Sequence, residues 1–270
     1  MAVFDDYIDK LAGYVREMRS RGSPVREFDW PGPPEKLGQG LPIAVGPNAN
    51  PGIILRGDTF LELGNPEAGS CSVLLWTNDP SRIRDGRITL FGPDIPESAG
   101  GSLPFGQILV VAGESLEAED HEKLQQAQHV SDQIEGYMVR SSSANLWSRV
   151  SKDAAAKGVD FESLGRALMC VVKSAASGVS AAELLFVTTS KQDVKRLDSL
   201  ASEVKTLGSE MVKETWKAKG YDLDCDLDCS SCKDQPVCDE IRDVIVAKSD
   251  KKTQEEMDAA ESRSPRDAEG

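Results

Sequence analysis

Four of the six cysteines fall in one short acidic stretch, "YDLDCDLDCSSCKDQPVCDEIRD", at Cys225, Cys229, Cys232 and Cys238. The spacing is C-x3-C-x2-C-x5-C. A C-x2-C unit lets two sulfurs grip one metal or one edge of a cluster, and the flanking thiolates close the site when the loop curls round it. Four thiolates suit a [4Fe–4S] cluster or tetrahedral zinc. Structural zinc more often pairs two C-x2-C hooks across a longer gap. One compact irregular run therefore favours the iron–sulfur cluster, with zinc as the alternative and plain thiols or disulfides as the third reading.

Around these thiols stand Asp222, Asp224, Asp226, Asp228, Asp234, Asp239 and Glu240. Negative neighbours raise thiol pKa values unless a bound cation or cluster compensates. An iron–sulfur centre here is expected at low reduction potential, because adding an electron to a negative neighbourhood costs energy. The plainer alternative is a solvated charge run. The other two cysteines, Cys71 in "SCSVLLW" and Cys170 in "ALMCVVK", have apolar neighbours and are expected to be core thiols.

The whole chain sets the setting for this chemistry. Its 270 residues carry a net charge of −14, with 39% apolar and 28% charged residues. That balance builds a globular core, and so acidic a surface repels nucleic acid and anionic membranes. The start, "MAVFDDYIDKL", lacks the basic and then apolar regions of a signal peptide. No stretch approaches the roughly 18–20 apolar residues of a membrane span. A cytoplasmic protein is expected, whose reducing surroundings favour metal-bound thiols over disulfides.

The elements that must position the chemistry are read from periodicity. Residues 3–19 place Phe4, Tyr7, Ile8, Leu11, Tyr14, Val15 and Met18 on one helical face. That helix either packs on its own domain or docks to another chain. Residues 23–52 are rich in Pro and Gly and are expected to form an extended run of turns, anchored by Trp30. From residue 53, "GIILRGDTFLELG", "CSVLLWT", "GRITLFGPDI" and "GQILVVAG" read as strands. Residues 117–140 read as a helix, with Leu124, Ala127, Ser131, Ile134, Tyr137 and Met138 near one face. "NLWSRVS" is a strand, "DFESLGRALMCVVKSAAS" a helix with Asp160 as N-cap, and "AELLFVTTS" a strand. A long helix follows, interrupted near Gly208. The fold class is α/β or mixed α+β, with a mixed sheet.

The expected organisation is an amphipathic helix (1–22), the Pro/Gly-rich segment (23–52), an α/β domain (53–220), a cysteine module (221–248) and a tail (249–270). The tail has almost no large apolar residues and is expected to be disordered, with a docking segment as the alternative. His121 and His129 lie on the acidic helix and are expected to be solvated, with no catalytic role. No P-loop, dinucleotide fingerprint or Ser-His-Asp motif occurs.

Several segments carry a family resemblance. "LPIAVGP", "LRGDTFLELG", "IRDGRITLFGPDI", "SLPFGQILVVAG", "LWSRVSKDAAAKG" and "DVKRL" follow one another as in CO-methylating acetyl-CoA synthase. This is the beta subunit of the carbon monoxide dehydrogenase/acetyl-CoA synthase complex. The resemblance runs from about residue 41 to about residue 240. It implies chemistry joining a corrinoid-borne methyl group, CO and coenzyme A, on a [4Fe–4S] cluster bridged to two nickels. It also implies that the middle α/β region contributes to coenzyme A and partner binding.

The chain departs from that pattern and is expected to be a shortened homologue. The bacterial N-terminal domain is not seen before the shared region. Cys229, Cys232 and Cys238 can be laid on three of the family's cluster cysteines. The fourth position falls near Lys248, with Cys225 as a substitute. No Cys-Gly-Cys occurs in these residues. A square-planar distal nickel site built on that tripeptide is therefore not expected.

Within the shared region, Trp147, Arg149 and Lys152 are the candidates for contacting coenzyme A. Arg and Lys complement phosphates, and an aromatic face can take an adenine ring. The alternative is a core Trp with Arg and Lys at the surface. Two functions follow. One is an acetyl-CoA synthase-family protein with a [4Fe–4S] cluster, working in or alongside one-carbon and acetyl-CoA chemistry. The other is a non-catalytic iron–sulfur or zinc accessory module. Either docks to a corrinoid iron–sulfur protein or a carbon monoxide dehydrogenase subunit.

Overall fold

Apolar residues at alternate positions make a strand with one buried face, and continuous apolar runs make strands buried on both. Both patterns appear in the computed structural model, which describes residues 3–47, 49, 52–98, 100–128, 133–141 and 146–219. Among these residues the elements run α1 (Asp5–Ser20), β1 (Val25–Asp29), α2 (Pro34–Gly38), β2 (Thr59–Leu63), β3 (Ser70–Thr77), β4 (Arg87–Phe91), β5 (Gly101–Leu103) and β6 (Phe105–Ala112). They continue with α3 (Ala118–Gln128), β7 (Tyr137–Ser141), β8 (Trp147–Ser151), α4 (Lys152–Ala156), α5 (Phe161–Ala175), β9 (Ala181–Val187), α6 (Lys191–Lys195) and α7 (Asp198–Ala218). No helix among the described residues is long and apolar enough to cross a membrane.

The strands form two mixed sheets, a five-stranded one in the order β1-β4-β9-β6-β3 and a four-stranded one in the order β5-β2-β8-β7. In the larger sheet β9 runs parallel to β4 and antiparallel to β6. Every residue of β6 is buried. Period-two alternation sends neighbours to opposite faces. Phe186 stacks with Phe105 and packs at a tilt, 4.9 Å between centroids, against Phe161 of α5. On the other face Val187 and Gly106 lie against Leu197, between α6 and α7. Helices thus cover both faces. The expected class, α/β or mixed α+β, is what forms, with two mixed sheets where one was expected.

Helix α1 packs on β3 and α7, which settles its partner in favour of its own domain. Phe4 sits edge-on to Trp76 of β3 and stacks on His121 of α3. The edge strand β3 is also covered by Gln128, whose amide donates to the Val73 carbonyl. Asp160 caps α5 through a reciprocal capping box with Ser163, as its place before the apolar run predicts.

Five expectations are corrected. Residues 23–52 are not turns throughout. β1 pairs antiparallel with β4, and Pro34 opens α2, where its missing N–H is no loss. Trp30 is indeed an anchor: its Nε1 donates to Glu162 at 2.8 Å, and the Arg166 guanidinium lies 3.8 Å over its ring. Arg166 also donates to the carbonyls of Leu37 and Gln39, tying this segment to α5.

The helix expected over 117–140 ends at Gln128, and Tyr137 and Met138 belong to β7. Gly136, at φ 71°, makes the turn into that strand, and a Cβ there would lie 2.5 Å from Ala154 Cβ. The last helix breaks at Arg196 and Leu197, between α6 and α7, and is continuous through Gly208. Gly208 instead makes room for His121, whose Nε2 lies 2.5 Å from where a Cβ would be. His121 is therefore buried, not solvated, and burial lowers its pKa to about 4. Cys71 is a core thiol, pushed to about 12 by burial and by Asp198, whereas Cys170 is only half-buried. His129, Ser131, the cysteine module and the tail lie outside the described residues.

Candidate functional site

The candidate residues sit on the smaller sheet. Register pairs Leu61 with Val150, Glu62 with Arg149, and Leu63 with Ser148. On the other side of β8, Met138 pairs with Arg149 and Val139 with Ser148. Alternation therefore divides the sheet. Leu61, Leu63, Val150 and Tyr137 share a buried face. Glu62, Arg149 and Met138 share the other.

That polar face is crossed by residues 53–58, and the candidate side chains hold this strap down. Arg149 donates through Nε and Nη2 to Glu62 Oε1 at 3.0 and 2.9 Å, and through Nη1 to the Ile54 carbonyl at 3.1 Å. The Ile54 N–H donates to Met138 Sδ at 3.4 Å. Lys152, at the start of α4, donates to the Gly57 carbonyl at 2.6 Å. The Thr59 hydroxyl closes the strap by donating to the Leu55 carbonyl. Ile54 is buried, while Ile53 and Leu55 on either side are 82% and 62% exposed.

Burial works to raise the Glu62 pKa. The hydrogen bonds from Arg149 and Asn65 and the charges of Arg149 and Arg140 outweigh it, and the net shift is down. Glu62 is thus held as a carboxylate beneath the strap, and Arg149 is its counter-ion. Arg149 is itself buried. The surface arginine of the alternative sequence reading is not what forms.

Trp147 is half-buried, and the guanidinium carbon of Arg140 lies 4.3 Å from its ring centroid. Its indole N–H is buried and has no hydrogen-bond acceptor among the described residues. Trp147, Arg149 and Lys152 are therefore brought to one surface, although only Lys152 is exposed. The sequence does not single out Arg140, because its segment satisfies helical spacing as well as alternation. In β7 Met138 lies opposite Arg149, and past an irregularity in the register after Val139 the contact with Trp147 puts Arg140 on the same surface. Cys225, Cys229, Cys232 and Cys238 lie outside the described residues.

Comparison with known proteins places this surface inside a family match. Residues 41–194 match the model of the CO dehydrogenase/acetyl-CoA synthase complex beta subunit. The acetyl-CoA decarbonylase/synthase complex subunit beta of Methanopyrus kandleri is 30% identical over 175 residues, covering 64% of this chain and 37% of that protein. Subunit beta 2 of that complex from Methanosarcina acetivorans is 26% identical over 195 residues, 72% of this chain and 40% of that one. The carbon monoxide dehydrogenase/acetyl-CoA synthase subunit alpha of Moorella thermoacetica is 30% identical over 170 residues, 62% of this chain and 23% of that one. The chain spans well under half the length of each of these relatives.

Proposed function

Because the chain belongs to the beta-subunit family of the CO dehydrogenase/acetyl-CoA synthase complex, we propose that it binds coenzyme A on the surface around Trp147, Arg149 and Lys152 and carries a [4Fe–4S] cluster. It would act in or alongside the CO, methyl-corrinoid and coenzyme A chemistry of the acetyl-CoA pathway, in the cytoplasm. One observation carries this reading. The matched residues 41–194 include the whole smaller sheet and all of the larger sheet except β1, so the family scaffold is present as a folded unit.

Each residue has a role in that reading. Lys152 supplies an exposed ammonium to a phosphate. Trp147 supplies an aromatic wall. Arg149 works from beneath, fixing the strap that borders the surface. Cys225, Cys229, Cys232 and Cys238 supply four thiolates, a donor set that fits a [4Fe–4S] cluster, with tetrahedral zinc as the alternative. A cluster bound there would supply one-electron storage; nickel is not part of the proposal.

The second reading, a non-catalytic module docking to a corrinoid iron–sulfur protein or a carbon monoxide dehydrogenase subunit, is favoured by one feature. Ile53 and Leu55 present two large apolar side chains to solvent from a strap fixed by hydrogen bonds. Anaerobic calorimetry with coenzyme A separates the readings. The first expects a single saturable site. Absence of binding at millimolar ligand would leave the docking module.

A further inference from the structure

Resting on that coenzyme A reading, we propose that Arg140 is a ligand-contacting cation of this surface in addition to Lys152, the group that grips a phosphate of the ligand beside Trp147. Arg149 cannot easily serve. Its Nε, Nη1 and Nη2 are all engaged by Glu62 and the Ile54 carbonyl, and its side chain is only 9% exposed. A phosphate reaching it would have to break a two-pronged ion pair and strand a carboxylate that is itself only 21% exposed.

Arg140 is in the opposite situation. It is exposed, its guanidinium rests 4.3 Å from the Trp147 ring centroid, and no carboxylate among the described residues hydrogen-bonds it. A guanidinium held against an indole is already ordered and partly desolvated, and none of its N–H donors has an acceptor among the described residues, which leaves its edge for an anion. Two parallel N–H···O bonds to a phosphate match that edge. Glu62 lies within Coulombic reach, but its charge is offset by Arg149. The guanidinium also covers one face of the indole. Trp147 therefore orients Arg140 there, and an adenine ring does not stack on that face.

The ligand class is a phosphate-bearing nucleotide cofactor, and coenzyme A is the probe. Anaerobic calorimetry on the full chain compares wild type with Arg140→Ala and Arg140→Lys, using coenzyme A and dephospho-coenzyme A. The Arg140→Ala variant is expected to weaken coenzyme A binding roughly tenfold to a hundredfold, the range of a charge-assisted contact. Arg140→Lys should recover only part of this, because an ammonium has no planar fork. The urea midpoint should stay unchanged in both. If only coenzyme A is weakened, Arg140 grips the 3′-phosphate; if dephospho-coenzyme A is weakened equally, it grips the diphosphate. Either result supports the proposal. Wild type binding coenzyme A while Arg140→Ala binds it equally well would overturn it and leave the coenzyme A reading standing. Wild type that binds nothing removes the coenzyme A reading itself.

Discussion

Replacing Arg149 with Met tests whether the strap is clamped as described. The side chain keeps much of its volume but loses its charge and three hydrogen bonds. Breaking a fully buried ion pair from one side costs about 3–5 kcal/mol, because the remaining charge is left uncompensated. Glu62 keeps 21% of its side-chain exposure, so water recovers part of that loss. The expected destabilisation is about 2–3 kcal/mol. At about 2–4 °C per kcal/mol, the melting temperature falls by roughly 4–12 °C.

The double variant Arg149→Met, Glu62→Leu removes both charges and should recover at least about half of the loss. The pH dependence has a definite sign. The folded Glu62 pKa lies below the ordinary glutamate value of 4.5. Its contribution is therefore fully present above that value and lost as pH falls through the lower folded one. Urea unfolding from pH 7 down to pH 3 reads both effects. A single variant within about 0.5 kcal/mol of wild type, or a double variant less stable than the single, would refute the clamp.

Other perturbations follow from the same contacts. His121 is neutral in the fold with a pKa of about 4 against 6.5 when free. The unfolded chain takes up the proton first, so stability should fall by up to about 3 kcal/mol as pH drops from 6.5 to 4. His121→Phe should flatten that part of the urea profile. Gly208→Ala places a methyl 2.5 Å from His121 Nε2. It should destabilise by about 1–2 kcal/mol despite better helix propensity, and His121→Ala should cancel the effect in a double-mutant cycle. Arg166→Ala frees the carbonyls of Leu37 and Gln39 and uncovers Trp30. Hydrogen exchange across residues 30–39 should rise sharply while α5 stays protected. Cys71, pushed to about 12, should resist iodoacetamide at pH 8 until the chain unfolds.

Local patterns were legible in the sequence where one period dominates. The faces of α1 and α5, the Asp160 cap and the strand at Trp147 follow from spacing and capping chemistry alone. The segment around Ile134, Tyr137 and Met138 was not, because those positions satisfy helical spacing as well as alternation. Only the partner strand β8 selects between them, and pairing is not written in the segment itself. The same limit hid the site. Arg149 and Glu62 are 87 positions apart, so the sequence offers an arginine but not its counter-ion. Arg140 was invisible for as long as its segment was read as helix. His121 looked solvated among acidic neighbours. What buries it is Phe4 and Gly208, one near the chain start and the other in α7.

Anaerobic purification of the full chain, with iron and acid-labile sulfide counted on wild type and on Cys232→Ser, tests the central functional claim most directly. Four thiolate ligands predict about four irons and four sulfides per chain, with the count collapsing in the variant. A colourless wild type carrying neither iron nor zinc would contradict it.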